Sequence, residues 1–164
     1  MSRFYLIGGH DFDTKNNYIA KRLLDLTHKT NPTIVLVPLA SNDSEKTINN
    51  FKREYASLNY NLITLCLTLK PEKNKIIEII NKADILYFSG GSTAFLINFL
   101  KENNLLWIID EAIKRDDLII AGVSAGAIML SSYGLTDQEA YEDHGDFYNY
   151  NELEGLGILN IGFC

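Results

Sequence analysis

Residues 33–39, TIVLVPL, form a continuous β-branched and apolar run. A run without polar alternation fits a strand covered on both faces. Four more segments predict strands: 3–7 (RFYLI), 61–67 (NLITLCL), 84–91 (DILYFSGG) and 118–123 (LIIAGV). The stretches between them carry helical spacing. Tyr18, Ile19, Leu23, Leu24 and Leu26 recur over 15–29, and Asn31-Pro32 ends that helix. Ile48, Phe51, Tyr55 and Leu58 share one face of a helix that starts after a polar turn, with Asp43 or Ser44 as its N-cap. Pro71 opens a helix carrying Ile76, Ile77, Ile79 and Ile80, and two more helices are predicted over 95–100 and 105–115. Strands alternating with helices predict βαβ units: an α/β fold with a parallel sheet and helices on both faces. Ligands in such sheets sit beyond the carboxyl ends of the strands. Here those ends are Gly8-Gly9-His10, Pro38 to Asn42, Ser89 to Thr93, and Ser124.

The 164 residues suit one domain, 1–164, with a core of its own, and 46% of them are hydrophobic. A net charge of −6 argues against nucleic acid or an anionic membrane as partner, since both reward a basic face. The opening MSRFYLIGGHDFD has too short an apolar run for a signal peptide. No stretch reaches the ~20 apolar residues of a membrane span. Cys66 falls in a strand-like run and reads as core; Cys164 is the last residue. Neither has metal-ligand spacing, and two distant cysteines are no disulfide framework. The expected compartment is a reducing cytoplasm.

The chemistry centres on 118–134, LIIAGVSAGAIMLSSYG. Gly122-Val123-Ser124-Ala125-Gly126 is a G-x-S-x-G frame between a predicted strand and a segment that can be helical. That context makes a sharp turn exposing the serine oxygen. Ser124 is thus a candidate nucleophile. The N–H of Ala125 is one candidate oxyanion donor, and a second is expected from Gly90-Gly91-Ser92 if the fourth and fifth strands are neighbours. Two blander roles compete: a small residue packing a tight turn, or a glycine cradle for phosphate. Neither G-x-x-x-x-G-K-[ST] nor G-x-G-x-x-G occurs, which weighs against phosphate.

A serine nucleophile needs a base and an orienting acid. His10 lies at the correct edge, but beside Asp11 and Asp13 it reads as a turn residue. His28 lies near the end of the first helix and reads as solvated. His144 sits among Glu142, Asp143 and Asp146 in an acidic, aromatic stretch, 135–155, read as a loop with a short hairpin near the active edge. None is a convincing base. Asp137 and Glu139 follow the serine segment and could orient a histidine, though for each taken alone a solvated acidic loop is the better account.

At Gly122-Val123-Ser124-Ala125-Gly126-Ala127, Gly90-Gly91-Ser92-Thr93, Gly134-Leu135-Thr136-Asp137 and Gly155-Leu156-Gly157-Ile158-Leu159 the chain resembles the dipeptidase E family of serine peptidases, relatives of cyanophycinase. The resemblance runs the length of the chain. It implies the three-layer α/β/α sandwich of class I glutamine amidotransferase-like, flavodoxin-like proteins. It also implies Ser124 as nucleophile, Gly91 and Ala125 as oxyanion donors, and Asp137 as the acid, with Glu139 next. The implied reaction is hydrolysis of small aspartyl peptides through an acyl-enzyme, with no metal and no cofactor. In the family a Pro-His pair follows the segment matching Phe163-Cys164. By that register the histidine falls beyond Cys164, the domain is incomplete at its C-terminus, and the chain as given has little or no turnover. An apolar strand, 156–164, left at such an edge favours self-association, so a homodimer is also expected. The rival readings are a cyanophycinase-like hydrolase of β-aspartyl peptides and a non-catalytic binding domain of the same fold. A glutamine amidotransferase is disfavoured, because its nucleophile is a cysteine and position 124 is serine.

Overall fold

The apolar runs pair as parallel strands. The computed structural model describes residues 2–9, 17–136 and 151–163. Its main sheet holds β1 (Arg3–Ile7), β2 (Thr33–Val37), β3 (Asn61–Thr64), β4 (Ile85–Phe88) and β5 (Ile119–Val123), in the order β1-β5-β4-β2-β3. All four pairings are parallel, and the register sets Ile7 beside Val123, Phe88 beside Gly122, and Val37 beside Phe88. The fourth and fifth strands are therefore neighbours, as the oxyanion reading required.

Alternate strand residues face opposite layers. Helices α1 (Tyr18–Asp25) and α2 (Glu45–Glu54) cover one face. Their Ala20, Leu23, Leu24 and Phe51, with Tyr55 just past α2, pack on Ile34, Leu36, Ile85, Tyr87, Ile119, Ala121 and Val123. Helices α3 (Lys73–Asn81), α4 (Thr93–Glu102), α5 (Leu106–Ile113) and α6 (Ala125–Leu130) cover the other. There Ile76, Leu96, Ile108 and Met129 pack on Val35, Val37, Leu86, Phe88 and Ile120. This is a three-layer α/β/α sandwich. The chain leaves β2 outward for β3 and leaves β4 in the other direction for β5, so a topological switch point lies between β4 and β2, where such sheets bind ligands.

Several boundaries differ from the sequence expectation. The helix predicted over 15–29 runs from Tyr18 to Asp25. His28 lies beyond it, in a left-handed conformation with φ 57°. The 33–39 strand stops at Val37, because Pro38 turns the backbone (φ −84°, ψ 19°) into a short 3-10 turn, Leu39–Ser41. The third strand ends at Thr64 and the fourth at Phe88. Cys66 follows β3 and is half-buried rather than core. The segment after Ser124 is helical for only six residues.

Ser131 then opens β6 (Ser131–Thr136), which pairs antiparallel with β7 (Asn151–Glu154) and in parallel with β8 (Leu159–Phe163). The strand expected over 156–164 contains β8, and the hairpin read into 135–155 corresponds to β6 with β7; the sequence does not predict the start of β6 at Ser131 or the joining of the three into one sheet. Leu153, Leu156 and Ile158 pack against the helix-covered core. Residues 137–150, between β6 and β7, lie outside the described residues, as do His10, Asp11, Asp13 and Cys164.

Candidate active site

The carboxyl ends of β5, β4 and β2 meet at Ser124. Five buried residues, Ile119–Val123, carry the chain to the edge, and α6 leaves at once on the other side. Between them Ser124 adopts φ 48°, ψ −112°. That conformation is positive in φ and outside the left-handed helical well, so it is strained for any residue with a Cβ. Its surroundings hold it there. The Ser124 N–H donates to the Ile7 carbonyl at 2.9 Å, and the Ser124 carbonyl accepts from the Ala127 and Ile128 N–H groups, each at 2.9 Å. The hydroxyl makes no capping bond to α6. By helix geometry the N–H groups of Ala125 and Gly126, at the start of α6, have no partner within the helix.

Two close approaches explain the flanking glycines. A Cβ on Gly126 would lie 2.4 Å from the Phe88 carbonyl oxygen, and one on Gly122 would lie 2.5 Å from the Gly126 carbonyl. Sheet, turn and helix are therefore backbone against backbone here, and α6 sits directly on β4 and β5.

The loop after β4 forms the second wall. A Cβ on Gly90 would stand 3.4 Å from Ser124 Cβ and 3.9 Å from its Oγ. Gly91 has φ +143°, and a Cβ there would lie 2.2 Å from the Ala40 carbonyl oxygen. Ser92 fixes the start of α4: its N–H donates to the Ala40 carbonyl at 2.7 Å, and its Oγ accepts from the Phe95 N–H at 3.1 Å, capping the helix. Thus the turn after β2 pins the turn after β4, which in turn abuts Ser124.

Beside the serine is a cavity of about 160 Å³, lined by Gly9, Leu36, Thr47, Phe51, Tyr87, Ser89, Gly90, Val123 and Ser124. Leu36, Phe51 and Tyr87 are buried, whereas Gly9 is exposed and Gly90 and Ser124 are half-buried. Exposure thus rises from the aromatic end toward the serine. Tyr87 meets Phe51 edge-on at 5.0 Å, and Phe51 stacks on Tyr55 at 4.2 Å. Burial, and then the Glu54 carboxylate, push the Tyr87 phenol far above its ordinary range. Tyr55 is raised well above its usual value by burial and by Tyr87, Glu54, Tyr5 and Tyr60. Sequence reasoning missed Tyr87 and Thr47 as walls of this cavity. The predicted inner face of α2, with Phe51 and Tyr55, was the signal that could have led to them.

Of the predicted site residues, Ser124, Ala125 and Gly91 come together at this edge. Asp137 and Glu139 lie outside the described residues, immediately after β6. His28 is at the opposite edge. The next residue, Lys29, pairs with Asp84, which precedes β4 and accepts from the Thr33 N–H at the start of β2. At Cys66, burial and then the Asp43 carboxylate push the thiol upward, away from the thiolate. Among the described residues no group of three His, Cys, Asp or Glu could hold a metal, and no helix is long and apolar enough to cross a membrane.

Comparison with known proteins places this arrangement. Residues 4–164 match the sequence model of Peptidase family S51. The chain belongs to peptidase family S51. It is 30% identical over 157 residues to the uncharacterized peptidase YgaJ of Bacillus subtilis (strain 168), covering 96% of this chain and 64% of that protein. The S51 chain thus spans less than two thirds of that relative's length. Two crystal structures share its fold. One, of a peptidase from an acI-B1 Actinobacterium, has a TM-score of 0.70 at 22% identity and covers 97% of this chain and 65% of the other. The second, of a putative peptidase E protein from Listeria monocytogenes EGD-e, has a TM-score of 0.71 at 19% identity and covers 98% and 76%.

Proposed function

We propose that the protein is a serine-type peptidase acting on short peptides through an acyl-enzyme on Ser124. The observation that carries this reading is the strained, positive-φ serine at a strand-to-helix turn, walled by two glycine loops. Strain of this kind costs about 1–3 kcal/mol and persists where function needs the geometry. In the proposed reaction Ser124 Oγ attacks the peptide carbonyl carbon. The carbonyl oxygen takes up negative charge and accepts from the N–H groups of Ala125 and Gly91. The amine then leaves with a proton, and water releases the acyl group in a second step. Preorganised donors of this type contribute ~2.7–4 kcal/mol each to such barriers.

The base and its acid are proposed to lie outside the described residues. His28 is the one described histidine, and it is at the wrong edge. Asp137, the residue that follows β6 in sequence, is the proposed acid. Loss of that base is expected to leave only the residual rate that donors and binding provide. Aspartyl dipeptides are the reference substrates, and the cytoplasm is the proposed compartment.

The test is covalent labelling with a fluorophosphonate, read by intact mass and peptide mapping. Modification at Ser124, lost in Ser124→Ala, is expected. A folded protein that stays unlabelled, also when extended by the C-terminal segment of a longer relative, would instead indicate a binding domain.

A further inference from the structure

The peptide unit joining Gly90 to Gly91 has two working ends. Its N–H, on Gly91, is the proposed oxyanion donor, and its carbonyl, on Gly90, is an acceptor. The Ser89 Oγ donates to that carbonyl at 3.2 Å. Ser89 is 3% exposed, and its own N–H donates to the Val37 carbonyl at 3.2 Å, which continues the pairing of β4 with β2 past Phe88. Ser89 also lines the cavity beside Ser124, whereas Gly90 is half-buried and Gly91 exposed. The donating hydroxyl is thus anchored to the sheet, and the amide it holds lies between two glycines. Such an amide rotates more freely than others, because neither neighbour has a Cβ to restrict it. Rotation here would turn the Gly91 N–H away from Ser124. The downstream side is set by φ +143° at Gly91 and by the Ser92 N–H, which donates to the Ala40 carbonyl at 2.7 Å. On the upstream side the Ser89 hydroxyl holds the carbonyl. The amide is planar, with its oxygen and its N–H pointing in opposite directions. A donor at the oxygen therefore strengthens the N–H as a donor, by roughly 10–30% for one bond in a chain. At 3.2 Å the Ser89 bond is long for a hydroxyl. Bonds of this kind are often long before substrate binds and tighten in the reacting complex.

We propose that Ser89 is a positioning residue for the acyl transfer: its hydroxyl holds and polarises the Gly90–Gly91 peptide, so that the Gly91 N–H stays aimed at the developing oxyanion. The assignment rests on Ser124 being the nucleophile and on Gly91 being a donor to the oxyanion. Ser89 acts through that peptide and not on the reacting atoms, so its removal weakens one donor without deleting it.

The test is the kinetics of Ser124 phosphonylation by a fluorophosphonate. In that reaction Ser124 Oγ bonds to phosphorus, fluoride leaves, and the phosphoryl oxygen takes the place of the oxyanion. Varying the probe concentration separates the limiting rate from the concentration that half-saturates it. Ser89→Ala is expected to lower the limiting rate by about 3- to 10-fold and to leave half-saturation unchanged. Loss of a direct oxyanion donor would cost ~10²–10³-fold. Ser89→Thr keeps the hydroxyl, and its methyl group has the cavity to enter, so its limiting rate is expected within about 2-fold of the parent. Ser89→Cys keeps a weak donor and is expected to fall between the parent and Ser89→Ala. A limiting rate in Ser89→Ala within about 2-fold of the parent overturns the assignment. So does a loss that appears in half-saturation instead, or one that neither Ser89→Thr nor Ser89→Cys restores in part. With Ser124 still labelled, those results leave the nucleophile in place and remove the role of Ser89 alone. An unmutated protein that stays unlabelled, also when extended by the C-terminal segment of a longer relative, removes the nucleophile and the role of Ser89 with it.

Discussion

Replacing Gly126 by alanine sets two known effects against each other. In an unobstructed helix interior, Gly→Ala stabilises by about 1 kcal/mol, because the glycine backbone loses more freedom on folding. At Gly126 the new Cβ would stand 2.4 Å from the Phe88 carbonyl oxygen and 2.9 Å from both the Phe88 carbonyl carbon and Cβ. Relief to ordinary contact needs α6 and β4 to separate by roughly 1 Å. Neither can yield by a rotamer change, since the overlap is with backbone. Moving β4 disturbs its pairing with β2 and β5, and moving α6 pulls on the Ser124 carbonyl that holds Ala127 and Ile128. Overpacking of this kind costs ~1–3 kcal/mol, and rigid partners place it at the upper end.

The balance is a loss of about 2 kcal/mol, the difference of those two contributions. For a chain of this size that corresponds to roughly 4–8 °C in Tm. Urea unfolding of Gly126→Ala, compared at constant m, reads the change directly. The labelling rate of Ser124 is expected to fall with it, because the turn is displaced. A variant as stable as the parent or more so would refute the close-packed elbow, since propensity would then have acted unopposed.

Other outcomes rest on the same contacts. Ser124→Gly should be more stable than Ser124→Ala by about 1 kcal/mol or more in denaturant midpoint, because only glycine accepts φ 48°, ψ −112° without strain. Gly91→Ala combines φ +143° with a 2.2 Å approach to Ala40, so it should lower stability by at least ~1–3 kcal/mol and reduce Ser124 labelling. Tyr55 and Tyr87 have raised folded-state values, so their contribution is complete below the unfolded value of about 10 and is lost as pH rises beyond it. Unfolding midpoints between about pH 9 and 11 should therefore fall, and Tyr87→Phe should flatten that slope. Asp117 is held low chiefly by its hydrogen bond from Arg115, so its small contribution is present above about pH 3.9 and is lost as pH falls through the lower folded value; Asp117→Asn should remove that part of the acid slope.

The central strands β2, β4 and β5 were legible because each is an apolar run buried on both faces, whereas the edge strands β1 and β3 are only partly buried and were read from their apolar residues and flanking turns. Their ends were less legible. Pro38 ends β2 by turning the backbone after Val37, though TIVLVPL reads as one run. The end of α6 was hidden for a different reason. Ser131 is fully buried and extended, and its hydroxyl bonds the Ile128 carbonyl at 2.7 Å and the Tyr133 carbonyl at 2.9 Å. Such side chains compete with the helix, but an isolated serine does not announce it. The second sheet was least legible. Its β7, NELE, has no apolar alternation, and its pairing with β6 spans a long stretch of chain. Within the site the glycine turns gave themselves away by spacing. Tyr87 and Thr47 are ordinary strand and helix residues, and only the order β5-β4-β2 and the packing of α2 on that face bring them to the cavity beside Ser124.

The positive-φ residues separate the site from the scaffold. His28, Asn42, Asp43, Lys70 and Asn104 have φ between 50° and 57°. Asn42 and Lys70 cap short 3-10 turns in the left-handed well, where the cost is small and the hydrogen bonds are local. Ser124 has a similar φ but ψ −112°, follows a buried strand, and is held by the Ile7 carbonyl and by two glycine contacts. A glycine at 124 would make the same turn without strain, so packing alone gives no reason for a side chain there. A domain that only bound peptides could dispense with the hydroxyl. What the serine adds is an oxygen beside two glycine loops and at the half-buried end of the cavity, the position the proposed acyl transfer would use.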